Sequence, residues 1–164
     1  MNPQELDAQT VEIIGRNKLI NELLRAGLEV ALPMRDRGID LIAYVDIDTD
    51  ETLQSFVACP LQMKAATFCS FGVNQKYEKF PKLILTYVWY VNTPDKNITY
   101  ALTYAEALTV AEKMGWTETA SWSMGNYTTT KPSEKLLALL EPHKMTPEKW
   151  WNKVTKLASV IALS

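Results

Sequence analysis

Apolar residues recur at helical spacing near the N-terminus and predict a first helix from about Gln4 to Ala26. The positions that carry this spacing are Val11, Ile13, Ile14, Leu19, Ile20, Leu23 and Leu24. Gly27 follows as the C-terminal stop. Apolar, β-rich runs then predict three strands at residues 28–32, 39–45 and 55–66, with an acidic hairpin turn at residues 46–51. Pro60 marks a bulge or an edge within the third of these strands.

The second half of the chain begins with a polar and aromatic stretch, residues 68–82, that has no clear period. The continuous apolar run at residues 83–91 predicts a central strand that is buried on both faces. A further strand is expected at residues 98–102, and Thr103 with Glu106 forms a capping-box pattern that opens a helix. Two more helices are expected at residues 133–140 and 147–162, after a Ser/Thr-rich loop.

This order of elements predicts an α/β fold in which a mixed sheet is flanked by helices. At 164 residues the chain is expected to form one domain. We divide it into a core at residues 1–116 and a C-terminal loop and helical extension of the same domain at residues 117–164.

Composition and charge narrow the classes of function. No apolar run reaches the ~18 residues that a membrane span needs, and the N-terminus is polar and acidic, unlike a secretory signal. Cys59 and Cys69 lie in apolar stretches and fit reduced thiols in a cytoplasmic protein. The single histidine, His143, excludes a zinc site built from several histidines. The net charge of −2 means that nucleic acid would have to bind a local basic patch.

Three polar residues lie where apolar strands would not favour them. Asp40 stands at the start of the second strand, and Gln62 and Lys64 share one face of the third because strand side chains alternate. A lysine buried without a partner would be costly, and Asp40 on the neighbouring strand would supply that partner. The 21-residue gap between Asp40 and Gln62 suits a hairpin that sets the two strands side by side.

At these residues the chain resembles the PD-(D/E)XK nuclease superfamily. The resemblance rests on GIDLI at residues 38–42 and LQMKA at residues 61–65, and residues 15–91 as a whole are similar to small bacterial members of that superfamily. It weakens after about residue 116. It implies a restriction-endonuclease-like mixed sheet flanked by helices. The implied activity is Mg²⁺-dependent hydrolysis of phosphodiester bonds, with DNA as the expected substrate and Mn²⁺ as an alternative metal.

The resemblance also implies roles for individual residues. Asp40 would bind the metal, Gln62 would offer a carbonyl oxygen where a carboxylate is usual, and Lys64 would stabilise negative charge or orient the attacking water. Glu12, at the edge of the apolar stripe of the first helix, is the candidate for a further acidic ligand, although Arg16 occupies the position where that acid is most expected. Glu22 is expected on the solvent side of the same helix.

The expected nucleic-acid contacts are basic residues on either side of the motif: Arg35, Arg37, Lys76 and Lys79. Pairing of two copies would double such a patch, so we expect a homodimer, with Trp150 and Trp151 of the last helix as a contact.

Two other functions compete with the nuclease. One is a catalytically inactive protein of the same superfamily that binds nucleic acid or a protein partner. The other is a structural α/β interaction module in which Asp40 and Lys64 form a plain cross-strand ion pair.

Overall fold

The structure is a computed structural model that describes residues 5–48 and 55–159. Its helices, numbered α1 to α5, are Ala8–Arg25, Tyr104–Lys113, Ala120–Ser123, Glu134–Leu140 and Pro147–Ser159. Its strands, numbered β1 to β7, are Glu29–Ala31, Leu41–Tyr44, Ala58–Ala65, Phe71–Asn74, Ile84–Trp89, Ile98–Leu102 and Asn126–Thr129. The prediction of a mixed α/β fold is therefore confirmed.

Five strands form the main sheet in the order β1-β2-β3-β5-β6, and β4 pairs with β7 in a separate two-stranded sheet. Strands β3 and β5 are parallel, whereas the other pairs of the main sheet are antiparallel. The register joins Leu41 to Leu61 across the predicted β2–β3 hairpin. The expected mixed sheet is thus present.

Helix α1 packs on the sheet through one stripe of buried residues, Val11, Gly15, Leu19 and Leu23, which recur at every fourth position. A Cβ at Gly15 would overlap the Cβ of Ala65 on β3, so glycine allows the helix to approach the strand closely. The helix begins at Ala8 because Asp7 caps it by accepting the backbone N–H of Thr10 at 2.7 Å. The predicted start near Gln4 was therefore too early, and Gln4 itself lies outside the described residues.

The main sheet separates two apolar cores. One lies against helices α1 and α5, and the other lies against helices α2 and α4 and the small sheet. Strand β5 is buried along its whole length, with Ile84 and Val88 in the first core and Leu85 and Tyr87 in the second. The expectation of a central strand buried on both faces is confirmed. The capping box at Thr103 and Glu106 is also present.

Three short elements are not predicted by the sequence pattern. Strand β4 and the 3₁₀ helix Gln75–Lys79 lie in the stretch that shows no period, and β7 lies in the Ser/Thr-rich loop. Each strand is four residues long, and β4 and β7 pair only with each other across more than fifty residues of sequence. Local periodicity cannot report such a pairing.

The last helix belongs to the protein's own core. Trp150 is fully buried among residues of α1 and β3, and Trp151 packs at the edge of that core. The indole of Trp150 is therefore not available as the expected contact between subunits. Residues 160–162 of the predicted helix and residues 49–51 of the predicted acidic turn lie outside the described residues. No helix in the described ranges is long and apolar enough to cross a membrane.

Candidate functional site

Asp40 lies immediately before β2 and forms two hydrogen bonds to the backbone of β3. Its backbone N–H donates to the carbonyl of Leu61 at 2.9 Å, and its Oδ2 accepts the backbone N–H of Met63 at 2.6 Å. Met63 has no β2 residue opposite it, because β2 begins at Leu41 opposite Leu61. The carboxylate therefore satisfies a strand donor that would otherwise lack a backbone partner. This contact also fixes where the carboxylate lies.

Two further carboxylates stand close to Asp40. Ligand oxygens of Glu12, Asp36 and Asp40 all lie within 4.8 Å of one another, and we call these three residues the acidic cluster. Glu12 and Asp36 are exposed, whereas Asp40 is half-buried. The sequence predicted that Glu12 would accompany Asp40. Asp36 was missed, although a turn at Gly38 with a φ of +92° brings it back towards Asp40.

The electrostatics of the acidic cluster differ from those of an ordinary surface carboxylate. Burial raises the pKa of Asp40, and the negative charges of Asp36 and Glu12 raise it further. The Met63 N–H and the positive charge of Arg16 act in the opposite direction and lower this pKa. A cation placed among the three carboxylates would relieve their repulsion.

The side chains of Gln62 and Asp40 bond to the same residue of β3. Its Nε2 donates to the carbonyl of Met63 at 3.3 Å, while Asp40 accepts the N–H of that residue. The N–H and C=O of one strand residue point to the same side of the strand, so both side chains lie along one edge of β3. The structure thus brings Asp40 and Gln62 to the same residue of β3, and Glu12 lies beside Asp40 in the acidic cluster.

Lys64 has different neighbours. It is exposed near the end of β3 and forms no ion pair with Asp40, and the ion pairs among residues 5–48 and 55–159 both involve Glu106. Partial desolvation lowers the pKa of Lys64, and the nearby positive charge of Lys76 lowers it further. The expected ion pair between Asp40 and Lys64 was therefore wrong. The Asp40 carboxylate accepts the Met63 N–H instead, and Lys64 is exposed to solvent.

Four basic residues surround a cavity of about 750 Å³ between the segment before β2 and the 3₁₀ helix. They are Arg37, Lys76, Lys79 and Lys82, and we call this space the cationic cavity. Three of them were predicted to contact nucleic acid, and Lys82 was missed. Arg35, the fourth predicted contact, is exposed and does not line the cavity. In the described parts of the chain, no carboxylate lies within 4.0 Å of any of these four cations.

The acidic cluster and the cationic cavity share one segment, residues 36–40. Asp36 and Asp40 belong to the cluster, while Arg37 and Ile39 between them line the cavity. The two surfaces are therefore immediate neighbours along the chain. Such a juxtaposition can place a bound phosphate beside oxygen ligands for a divalent cation.

Glu22 corrects an expectation about helix α1. Its two carboxylate oxygens accept the hydroxyl of Thr99 at 2.6 Å and the indole N–H of Trp150 at 3.1 Å. Burial is the main cause of its raised pKa. Glu22 does not lie on the solvent side, because β6 and α5 cover this part of the helix.

Comparison of the chain with protein-family models, with curated proteins and with solved structures gives no match.

Proposed function

We propose that this protein is a divalent-metal-dependent nuclease of the PD-(D/E)XK superfamily, with a restriction-endonuclease-like core and DNA as its substrate. The observation that carries the proposal is the meeting of the acidic cluster and the cationic cavity on residues 36–40. One surface supplies oxygen ligands and the other supplies positive charge for a phosphate backbone. Phosphodiester hydrolysis requires both.

The residues present fit a hard divalent cation. Asp40, Glu12 and Asp36 offer carboxylate oxygens, and the amide of Gln62 bonds to the same strand residue as Asp40. Mg²⁺ or Mn²⁺ bound there would polarise the phosphate and lower the pKa of a water molecule. Asp40 would orient this site through its fixed bond to Met63.

Lys64 and the four cations of the cavity would act on the nucleic acid. Arg37, Lys76, Lys79 and Lys82 would hold phosphates on the strand that leads into the site. Lys64, whose pKa is lowered by partial desolvation and by Lys76, would stabilise the negative charge that develops on the phosphate. A homodimer would double this cationic surface, and static light scattering tests that expectation.

A specific observation favours the inactive alternative. Arg16 contributes a positive charge near Asp40, which stabilises the ionised carboxylate without any metal. Gln62 also brings one negative charge fewer than a carboxylate would. A protein that binds nucleic acid through the cationic cavity, without cleaving it, would combine these two features.

Cleavage of plasmid and single-stranded DNA with Mg²⁺ or Mn²⁺ separates the two functions. We expect Asp40→Asn to reduce cleavage at least 100-fold, since the site loses a charge while the Asn oxygen still accepts the Met63 N–H. Asp95→Asn, at an exposed turn between β5 and β6, is the matched control and should cleave like the wild type. If the wild type leaves every DNA substrate intact with both metals, the nuclease is wrong and the inactive alternative stands.

A further inference from the structure

The cationic cavity has an apolar half that phosphate binding does not require. Ile39, Tyr77, Phe80 and Leu83 line it together with the basic residues. Phe80 is 53% exposed and Ile39 is 37% exposed, so both present apolar surface to solvent. A site that held only the phosphate backbone of a duplex would leave this surface wet.

The backbone of Phe80 is held by two hydrogen bonds, which fix the point from which its ring extends. The Phe80 N–H donates to the carbonyl of Tyr77 at 2.9 Å, and the Phe80 carbonyl accepts the N–H of Leu83 at 3.1 Å. Tyr77 is buried, and the Nζ of Lys76 lies 4.9 Å from the centre of the Tyr77 ring. An aromatic surface with cations beside it suits a ligand that has both a flat ring and negative charge.

A nucleotide in a single strand offers both an accessible flat ring and negative charge, whereas a duplex offers only the charge. Bases inside a duplex are stacked and paired, so their faces are unavailable to a protein side chain. An unpaired base exposes its face, and the phosphates on either side of it carry the charge. The cavity volume of about 750 Å³ lies within the range of small-ligand sites, roughly 300–1,000 Å³.

We propose that the cavity binds an unpaired base against Phe80, with the flanking phosphates on Arg37, Lys76, Lys79 and Lys82, and that the protein therefore prefers single-stranded nucleic acid. This inference rests on the proposed function in taking nucleic acid as the ligand. Because Arg37 stands between Asp36 and Asp40, the same binding mode brings a phosphate of the strand beside the acidic cluster. The substrate class then becomes a single strand, an overhang or a frayed end.

Fluorescence anisotropy in EDTA tests the proposal without cleavage. Labelled single-stranded DNA should bind more tightly than a blunt duplex of the same length. Phe80→Ala should weaken binding of the single strand about tenfold, since one base–aromatic stack is lost, and should leave duplex binding unchanged. Phe80→Trp should restore the affinity. Phe68→Ala is the matched control, since Phe68 is 75% exposed and lies outside the cavity.

A competition experiment separates a base from a simple anion. Deoxyadenosine monophosphate should displace the labelled strand at much lower concentration than inorganic phosphate does, and this advantage should vanish in Phe80→Ala. Equal competition by the two would overturn the proposal and leave a plain phosphate site. Equal effects of Phe80→Ala and Phe68→Ala, or equal affinity for single strand and duplex, would overturn it as well.

The outcome is independent of catalysis. Single-strand preference in EDTA without cleavage in Mg²⁺ would support this proposal and reject the nuclease. Cleavage of duplex and single strand alike, with no effect of Phe80→Ala on binding, would support the nuclease and reject the base-binding cavity.

Discussion

Glu12 and Glu22 lie ten residues apart on helix α1, and their surroundings are opposite. Glu22 accepts two hydrogen bonds, from Thr99 and from Trp150, and ties together α1, β6 and α5. Glu12 is exposed, forms no hydrogen bond or ion pair within the described ranges, and lies near the carboxylates of Asp36 and Asp40. The comparison shows how a structural carboxylate differs from a candidate functional one. The first is matched to donors, whereas the second is crowded by like charge that a bound cation would neutralise.

The largest expected effect is a difference in stability between two variants, one lacking Glu22 and the other lacking Glu12. Glu22→Ala should lower the free energy of unfolding by about 2–4 kcal/mol, because it leaves the Thr99 hydroxyl and the Trp150 N–H without their acceptor. Glu12→Ala should leave this free energy unchanged or raise it slightly, since repulsion within the acidic cluster falls. Urea denaturation followed by Trp fluorescence measures both. A loss from Glu12→Ala as large as that from Glu22→Ala would make the acidic cluster structural and end the comparison.

The same two residues show where sequence analysis succeeds and where it stops. Helical periodicity selected Glu12 over Glu22 as the acidic residue that the resemblance implied near Asp40, and the pairing of Asp40 with the Gln62 region followed from hairpin spacing. Both inferences use elements close together in sequence. Glu22 was misplaced because its partners, Thr99 and Trp150, lie 77 and 128 residues away. Local periodicity contains no information on which distant elements cover a helix face.

The composition of the site was only partly predictable for a related reason. Asp36 and Lys82 lie on connecting segments, where position depends on turns such as the one at Gly38. The expected Asp40–Lys64 pair required the Asp40 carboxylate to face the Lys64 side chain on the neighbouring strand. Its carboxylate instead accepts the Met63 N–H, which became available because β2 begins one residue after Asp40. The nuclease family, the metal and the nucleic-acid ligand remain predictions.

A smaller effect should follow from adding a charge to the candidate site. Gln62→Glu places a carboxylate beside Asp40 at Met63 and should tighten Mg²⁺ binding about tenfold, because a hard cation favours anionic oxygen ligands. Isothermal titration calorimetry with Mg²⁺ measures the change.

Gln75→Glu is the matched control for that variant. Gln75 also donates an amide N–H to a backbone carbonyl, that of Trp122 at 2.6 Å, but it lies outside the acidic cluster. Equal Mg²⁺ affinity of the wild type and Gln62→Glu would show that Gln62 does not border a cation site. A gain in Gln75→Glu of the same size would show that the added charge acts non-specifically.

The smallest effects should be shifts in the pKa of Asp40. Glu12 and Arg16 lie on the same helix and carry opposite charges, so their variants should shift this pKa in opposite directions. Glu12→Gln removes a negative charge near Asp40 and should lower this pKa, whereas Arg16→Gln removes a positive charge and should raise it. Carboxyl ¹³C NMR titration of the metal-free protein measures both shifts, and added salt should reduce them. Asp7, whose pKa is lowered mainly by hydrogen bonds from Thr10, is the internal control, and its pKa should not change.

Because metal binding requires the ionised carboxylate, the acid limb of any cleavage activity should shift with the pKa of Asp40, to lower pH in Glu12→Gln and to higher pH in Arg16→Gln. An Asp40 pKa that stays constant in both variants would mean that burial alone raises it, and the contrast between the two glutamates would then reduce to exposure rather than charge.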